Sequence, residues 1–242
     1  MRRPLFTKLL ERIPQTVVLR TGLRVRLRGR VDAKHFWSVF TSPDYLSFLP
    51  HLASIDERAL RVIDCGAGIG LFSLLIEHLR RAALLPWEVA SYVLVEPSRR
   101  NLPRLKRNLA SNVPEDRYRV LEGLVGRRGG DAEFYDRRWR PWASSIFHDS
   151  AARGVRGRKP FVDLVEFLAM GPCLLKADIE GAEFLLLESY RGELANVRAL
   201  VIEWHTEHGD PDAGDARLRS AGLRRVSRRH EGPTRIVDLY VR

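Results

Sequence analysis

The chain has 242 residues, enough for one α/β domain with a single buried core and slightly long for two independent domains. Its 45% hydrophobic and 29% charged residues are ordinary for a folded protein and exclude wholesale disorder. The net charge of +11 suits anionic partners, but an arginine-rich composition also follows from genome bias or heat adaptation.

The first 50 residues are predicted to form a small appendage on the main domain. The stretch "VVLRTGLRVRLRGR" (17–30) alternates apolar and basic residues around a Thr-Gly turn, which indicates a β-hairpin with one solvated face. "DAKHFWSVF" is typical of an amphipathic helix beginning at Asp32, and "SPDYLSFLPHL" of a second short helix. We therefore expect an appendage over residues 1–50 and the main domain over residues 51–242.

From residue 60, short apolar runs alternate with helical segments, as in parallel strands joined by crossover helices. The predicted strands are 60–65, 91–96, 118–123, 173–178 and 199–204. The predicted helices are "IGLFSLLIEHLRRA", "RRNLPRLKRNLASN" and "AEFLLLESYRGEL". "LRRVSRRH" and "TRIVDLYVR" flank Glu-Gly-Pro and indicate a closing antiparallel hairpin, so we expect an α/β fold with a seven-stranded, mostly parallel sheet.

Residues 124–160 break this alternation and are predicted to form a long basic and aromatic insert. Arginines lie beside Trp139 and Trp142, a combination that suits a lid over an anionic or glycosidic acceptor. A solvated loop is the alternative interpretation.

The lack of long apolar runs and the positions of the two cysteines indicate the cellular compartment. No apolar run reaches 18 residues and no secretory leader is evident, so we expect a cytoplasmic protein with no membrane partner. Cys65 and Cys173 fall at opposite ends of neighbouring strands, about 15 Å apart at ~3.3 Å per residue, and are expected to be reduced.

The stretch "VIDCGAGIG" (62–70) joins the first main strand to a helix, and its glycines let the backbone turn tightly beside a ligand. A dinucleotide fingerprint requires glycine at position 71, where this chain has Leu71. The pattern instead resembles the first motif of S-adenosylmethionine-dependent methyltransferases. Residues of the loop that this resemblance implies in cofactor binding are Asp64, Gly66, Ala67, Gly68 and Gly70.

Two later strand ends supply further cofactor candidates. Glu96 ends the next strand, 26 residues after Gly70, where a carboxylate can accept hydrogen bonds from ribose hydroxyls. Pro97 follows it. By analogy with that fold, Glu122 and Gly123 at the third strand end would line the adenine, although Glu122 also fits an exposed strand-end charge.

Together these segments resemble the FkbM-type methyltransferases. Besides the glycine loop, the resemblance rests on "VEPSRRNLPRLKRNLASN" (95–112) with its spaced asparagines, on "LLKADIEGAE" (174–183) and on "VIEWH" (201–205). It covers about residues 45–206. It implies a Rossmann-like class I methyltransferase fold, S-adenosylmethionine as cofactor, and O-methylation of a sugar, natural product or other small molecule.

The stretch "CLLKADIEGAEFLLLESY" (173–190) concentrates carboxylates where a strand meets a helix. Asp178 falls at the strand's carboxyl end, where open α/β sheets bind ligands, and is a candidate for both catalysis and cofactor binding. Glu180 and His205 are the other catalytic candidates, His205 as general base. Helix-end electrostatics account for Glu183 and are an alternative for Glu180.

The sequence also allows three other interpretations of the site and its function. Asp178, Glu180, Glu203, His205 and His208 could instead hold a divalent metal, but no fixed spacing motif supports one, and no metal is assigned. The charge and the insert would also suit a nucleic-acid methyltransferase. A third interpretation is a regulatory module that binds the cofactor without catalysis.

Overall fold

Strands and helices alternate along most of the chain. The computed structural model describes residues 14–41, 46–137 and 154–242. The strands in chain order are β1 (Pro14–Val18), β2 (Arg24–Arg28), β3 (Ala59–Cys65), β4 (Glu88–Glu96), β5 (Tyr118–Glu122), β6 (Asp131–Arg137), β7 (Gly154–Pro160), β8 (Cys173–Ala177), β9 (Val197–His205), β10 (Arg224–His230) and β11 (Arg235–Val241). The helices in chain order are α1 (Gly29–Thr41), α2 (Leu49–Ala53), α3 (Leu71–Arg81), α4 (Leu102–Ala110), α5 (Val165–Ala169), α6 (Glu183–Ser189) and α7 (Pro211–Ser220).

Seven strands form the central sheet in the order β10-β11-β9-β8-β3-β4-β5. Five neighbouring strands of this sheet run parallel, namely β9, β8, β3, β4 and β5. Strand β11 pairs antiparallel with both β9 and β10. The predicted sheet of five parallel strands and a C-terminal hairpin is confirmed. Because β4 and β8 lie on opposite sides of β3, a crevice opens at the carboxyl ends of these strands.

Apolar side chains cover both faces of this sheet. On one face, Leu94 and Leu174 pack with Leu105 of α4 in a continuous buried cluster. On the other face, Leu175 packs with Leu186 of α6 in a second cluster. Strands buried on both faces require near-continuous apolar runs, which is why these strands were recognisable in the sequence.

The boundaries differ in places from the predicted ones. α1 begins at Gly29, three residues before Asp32, because Asp32 lies in its first turn and accepts a hydrogen bond from the Arg28 N–H at 2.5 Å. β8 ends at Ala177, so Asp178 lies in the turn that follows it. α7 was not among the predicted elements.

The predicted N-terminal hairpin is present, and helix α4 binds it. β1 pairs antiparallel with β2, whose arginines are exposed while Leu23, Val25 and Leu27 are buried. Asn112, two residues past the end of α4, accepts a hydrogen bond from the Arg24 N–H at 2.8 Å and donates to the Arg24 carbonyl at 2.6 Å. The hairpin is thus attached to the main domain through backbone groups. The domain boundary near residue 50 stays a prediction.

The flanks of the insert pair with each other, which corrects the prediction of a long loop over residues 124–160. β6 and β7 form an antiparallel hairpin, and Phe134 packs with Leu124 and Phe161 in a small buried cluster. Trp139, Trp142 and the rest of residues 138–153 lie outside the described residues, so the lid hypothesis stays a prediction.

Both cysteines are buried and free. Cys65 lies opposite Ala177 in the register of β3 and β8, four residues from Cys173, so the predicted absence of a disulfide between them is confirmed. Within the described residues, no helix combines the length and the apolar character needed to cross a membrane.

Candidate active site

A cavity of about 460 Å³ opens at the carboxyl ends of β3, β4 and β8. Its walls come from the glycine loop that follows β3, the ends of β4, β5 and β8, and one face of α1. Predicted site residues that line it are Gly66, Ala67, Gly68, Glu96, Pro97, Gly123, Asp178 and Glu180. Sequence elements far apart in the chain therefore meet at one concave site, as expected for an open α/β sheet.

The glycines of the loop have different surroundings. Gly66, Gly68 and Gly70 all have positive φ, at 74°, 58° and 88°. A Cβ on Gly66 would lie 1.8 Å from the backbone oxygen of Asp178, so only glycine permits this contact between the loop and the turn after β8. A Cβ on Gly68 would meet no atom within 4 Å, which leaves open space on the cavity side of the loop.

Glu96 is buried at the end of β4 and holds the loop through three hydrogen bonds. Its Oε2 accepts from the Gly68 N–H at 2.7 Å, and its Oε1 accepts from the Ser98 N–H at 2.8 Å and from Asn101 Nδ2 at 3.2 Å. Burial raises the pKa of Glu96 to about 7. Glu96 thus lies beside the glycine loop, and it also caps the turn that leads into α4.

Asp64 and Lys176 lie beneath the loop. Asp64 is fully buried, accepts a hydrogen bond from Ser73 Oγ at 2.8 Å, and is not part of the cavity wall. Lys176 Nζ donates to the Gly66 carbonyl at 2.8 Å and lies 3.5 Å from Asp64 and 3.4 Å from Asp178. The Lys176 ammonium therefore links the glycine loop to the turn that carries Asp178, and the two neighbouring carboxylates compensate its positive charge.

Asp178 is half-buried and borders the cavity. Its backbone N–H donates to the Cys65 carbonyl at 3.2 Å, which fixes the turn against the start of the glycine loop. Burial would raise its pKa, but the charges of Lys176 and His205 outweigh that effect and lower it. Asp178 is accordingly an anion throughout the physiological pH range.

His205, at the end of β9, lies between two carboxylates. Its Nδ1 is 3.1 Å from Glu183 Oε1, and its Nε2 is 3.3 Å from Glu180 Oε2. Although burial favours the neutral ring, these two hydrogen bonds raise the pKa of His205 to about 11. At neutral pH both ring nitrogens carry a proton, which does not support the predicted role as general base.

Glu180 and Glu183 shape the turn that precedes α6. Glu180 has φ of 53°, a strained conformation for a residue with a side chain. Glu183 is fully buried, and its Oε1 accepts from the N–H groups of Ile179 and Gly181 at 3.0 and 3.2 Å. Glu183 thus caps the turn, in agreement with its interpretation as a helix-end acid.

Glu203 lines the cavity together with Asp178 and Glu180, and Arg235 lies beside it. Glu203 Oε1 lies 3.2 Å from Arg235 Nη1, and burial, together with the charge of Asp178, raises the pKa of Glu203 to about 8. Ligand atoms of Asp178, Glu203 and His205 lie within 4.8 Å of one another. Both ring nitrogens of His205 already face carboxylate oxygens, so the ring would have to give up one of these contacts to bind a cation.

Asp64 and His205 do not line the cavity, and three further predicted residues lie away from it. Glu122 is exposed and paired with Arg99 at 2.9 Å and with Lys159, as its interpretation as a strand-end charge required. Gly70 is the first residue before α3 and packs against Leu105. His208 is exposed in the turn after β9.

Helix α1 contributes residues to the site that the sequence did not single out. Val31, His35 and Ser38 line the cavity and are spaced by four and three residues, so they share one helical face. Lys34 also borders it. The helical spacing was visible in the sequence, but nothing local indicated that this polar face covers a ligand site.

The chain is similar to known methyltransferases. Residues 64–224 match the family described as the Methyltransferase FkbM domain. The fold is similar to that of methyltransferase FkbM from Methylobacillus flagellatus KT, with a TM-score of 0.52 and 17% identity over 86% of this chain and 48% of that one. This chain thus spans about half the length of that protein.

A second similar structure is the putative methyltransferase yhhF from Escherichia coli, with a TM-score of 0.48 and 16% identity over 91% of this chain and 92% of that one. A third is Sp1610 from Streptococcus pneumoniae, a putative tRNA (m1A22) methyltransferase, with a TM-score of 0.44 and 14% identity over 80% and 68% of the two chains. No curated protein matches the chain.

Proposed function

The chain belongs to the FkbM methyltransferase family, and from this membership we propose that it methylates a hydroxyl oxygen of a small-molecule, sugar or natural-product acceptor. S-adenosylmethionine is the methyl donor, as the sequence motifs predict. The observation that carries the proposal is one cavity in which the glycine loop, Glu96 and Asp178 meet.

The residues present fit this cofactor. The cavity of about 460 Å³ lies within the range of about 300–1,000 Å³ that is usual for small-molecule sites. The open space beside Gly68 allows the backbone to approach a ligand closely. A carboxylate has about four acceptor positions, of which Glu96 uses three on protein donors, so one is left for a ribose hydroxyl. When bound, the cofactor supplies a methyl carbon made electrophilic by its sulfonium.

Asp178 is assigned to positioning in this proposal. Because its pKa is lowered, its carboxylate is a weak base, but it is a constant anion at the edge of the cavity. Such a group can accept a hydrogen bond from the acceptor or the cofactor and hold it in line for displacement. Glu180 and His205 form a charge pair beside it and support the turn that carries it.

Two other functions compete with O-methylation. Exposed Arg24, Arg26 and Arg28 on one face of β2, with the net charge of +11, suit a nucleic-acid acceptor. A non-catalytic module would keep the glycine loop and Glu96 while the acidic turn served only to cap α6. The two alternatives predict different results in an acceptor assay: methyl transfer to nucleic acid for the first and no methyl transfer for the second.

The test begins with calorimetric titration of S-adenosylmethionine and S-adenosylhomocysteine into the protein. Transfer of tritiated methyl is then measured to phenols, methyl glycosides, sugar phosphates and tRNA, each with and without a chelator. We expect binding of both nucleosides and transfer to a hydroxyl compound. Absence of nucleoside binding would overturn the proposal, and transfer to tRNA alone would favour the nucleic-acid alternative.

The variant Asp178→Asn separates catalysis from cofactor binding. We expect turnover to fall at least about 10-fold, since the amide cannot supply the fixed negative charge beside the acceptor. Asp116→Asn, an exposed change in the short turn before β5, is the matched control. Wild-type turnover in Asp178→Asn, with S-adenosylhomocysteine affinity measured separately, would remove Asp178 from the reaction.

A further inference from the structure

Helix α1 forms a wall of the cavity that no motif of the family match includes, since that match begins at residue 64. The helix is anchored on its other sides. Asp32 accepts a hydrogen bond from the Arg28 N–H and pairs with Arg104 of α4. Phe36 is buried in an apolar cluster with Leu71 and Leu74 of α3. The face that carries His35 is therefore held in place over the cavity.

The reaction requires a group that removes the acceptor's proton, and most acids in the cavity are unsuited to it. Asp178 is too weak a base, because neighbouring cations lower its pKa. Glu96 already accepts three hydrogen bonds, from two backbone N–H groups and one side-chain amide, and its remaining acceptor position is assigned to the ribose. Glu203 has a pKa of about 8 and is mostly protonated at neutral pH.

The remaining acids and His205 are also committed. Glu180 pairs with His205, which carries two protons at neutral pH. Asp32 pairs with Arg104, and Glu231 Oε2 lies 4.0 Å from Arg235 Nη1. His35 is different in kind, because a neutral imidazole is both a competent base and a carrier that can return its proton to solvent.

The surroundings of His35 favour the neutral ring. Burial lowers its pKa, and the positive charges of Lys34 on α1, Arg235 on β11 and Lys176 on β8 lower it further, against the opposing charge of Asp178. The other charged groups on the same cavity walls are Asp32, Glu96, Arg104, Glu180, Glu203 and Glu231. The pKa of His35 therefore lies below the ordinary value of 6.5, and the ring is a base at neutral pH.

We propose that His35 is the general base of the methyl transfer, positioned by α1 in the wall of the cavity that the glycine loop also lines. The inference rests on the proposed function. An imidazole nitrogen of His35 takes the proton of the acceptor hydroxyl as that oxygen forms a bond to the methyl carbon. The carbon–sulfur bond breaks with its electron pair passing to sulfur, which leaves S-adenosylhomocysteine, the methyl ether and a protonated His35 that loses its proton to solvent.

The first test needs no acceptor. In the complex with S-adenosylhomocysteine, NMR titration of nitrogen-15-labelled histidine rings, assigned through His35→Gln, follows the charge of His35 between pH 5 and 9. We expect the ring to be neutral at pH 7 and to gain a proton only below pH 6.5. A ring that is still cationic at pH 7.5 would overturn the proposal.

The second test compares His35→Gln with the matched change His51→Gln on α2, which does not border the cavity. S-adenosylhomocysteine affinity, measured by calorimetry, is expected to stay within twofold in both variants. Transfer of tritiated methyl to the phenols and methyl glycosides of the panel is expected to fall about 10²–10⁴-fold in His35→Gln alone, the usual contribution of a positioned base.

The pH profile distinguishes a base from a structural residue. Wild-type kcat/KM should fall as the pH drops through the pKa of His35, and the remaining activity of His35→Gln should lack this limb. Wild-type rates in His35→Gln, or an equal loss of affinity and rate, would overturn the assignment. Failure of the wild-type protein to bind S-adenosylhomocysteine would instead overturn the proposed function.

Discussion

Glu96 and Glu122 end neighbouring strands in the same register, yet only one of them borders the cavity. Glu96 is buried and bonded to the glycine loop, whereas Glu122 is exposed and paired with two cations. The difference arises because the insert flank supplies Lys159 next to Glu122. From the sequence, the two acids had the same local signature, an acid at the end of an apolar strand.

The variants Glu96→Gln and Glu122→Gln test this difference. The amide of Glu96→Gln places an N–H group against backbone N–H donors, which removes a charge-assisted hydrogen bond of about 1.5–3 kcal/mol. We expect affinity for S-adenosylhomocysteine to fall about 10–100-fold, as 1.4 kcal/mol corresponds to tenfold. Glu122→Gln is expected to bind within twofold of wild type. Equal affinities in calorimetry for both variants would contradict the role given to Glu96.

The charge state of side chains was the part of the site least accessible from the sequence. From the sequence, His205 was a general-base candidate near carboxylates, and in the structure those carboxylates raise its pKa. The size of the effect depends on contact with two carboxylates at once, which only the fold of the turn after β8 brings about. His35 lies more than 100 positions from Asp178, so no spacing pattern could have joined them.

At the level of elements, helix α4 acts as a connector between the hairpin and the glycine loop. Asn108 accepts from the Arg26 N–H at 2.9 Å and donates to the Ile69 carbonyl at 3.0 Å. Asn112 bonds both backbone groups of Arg24. The side-chain amides take the place of a neighbouring strand, which satisfies the open edge of β2. Asn108 on the helix and Asn112 just after its end thus have a structural role.

The variant Asn112→Ala should loosen the hairpin without unfolding the main domain. It removes two hydrogen bonds to Arg24 and leaves partly buried backbone groups without these partners, at a cost of about 1–3 kcal/mol. Amide hydrogen exchange of residues 14–28 is expected to accelerate at least about 5-fold. Ser111→Ala, the adjacent exposed residue that bonds only within its own helix, is the control. Unchanged exchange in Asn112→Ala would contradict this role of α4.

The sequence predicted the buried strands well and the polar elements poorly. β8 and β9 are almost wholly buried and are typical apolar runs. α7 escaped prediction because it packs through Gly214, where a Cβ would lie 2.4 Å from Trp204, instead of through an apolar stripe. Half of the residues in β6 and β7 are charged, as in the pair Glu133 and Arg158, and the two strands carry no alternating apolar signal.

For the whole molecule, the composition of the positive charge matters as much as its amount. Of 41 basic residues only five are lysines, and arginine does not lose its proton below pH 12. The surface charge therefore changes little between pH 6.5 and 9. Changes in stability over that interval report mainly on the histidines and on buried acids with raised pKa values.

The raised pKa values of His205 and Glu203 determine the sign of that change in stability. The pKa of His205 is raised from 6.5 to about 11, so its contribution is complete below pH 6.5 and is lost as the pH rises toward 11. Glu203 holds its proton in the folded state to about pH 8 but releases it near 4.5 when unfolded. Between these values the folded state binds more protons, and raising the pH favours unfolding.

We therefore expect the free energy of unfolding to decrease steadily from pH 6.5 to 9, by at most about 1.4 kcal/mol per pH unit for each linked proton. Urea unfolding at constant ionic strength, read by circular dichroism, measures it. His205→Gln should be less stable than wild type at pH 6.5, because Glu180 and Glu183 lose their cation, and should show a shallower decline with pH. The exposed change His230→Gln should keep the wild-type slope. A wild-type stability that stays constant or rises over this interval would show that His205 is not held as a cation in the folded protein.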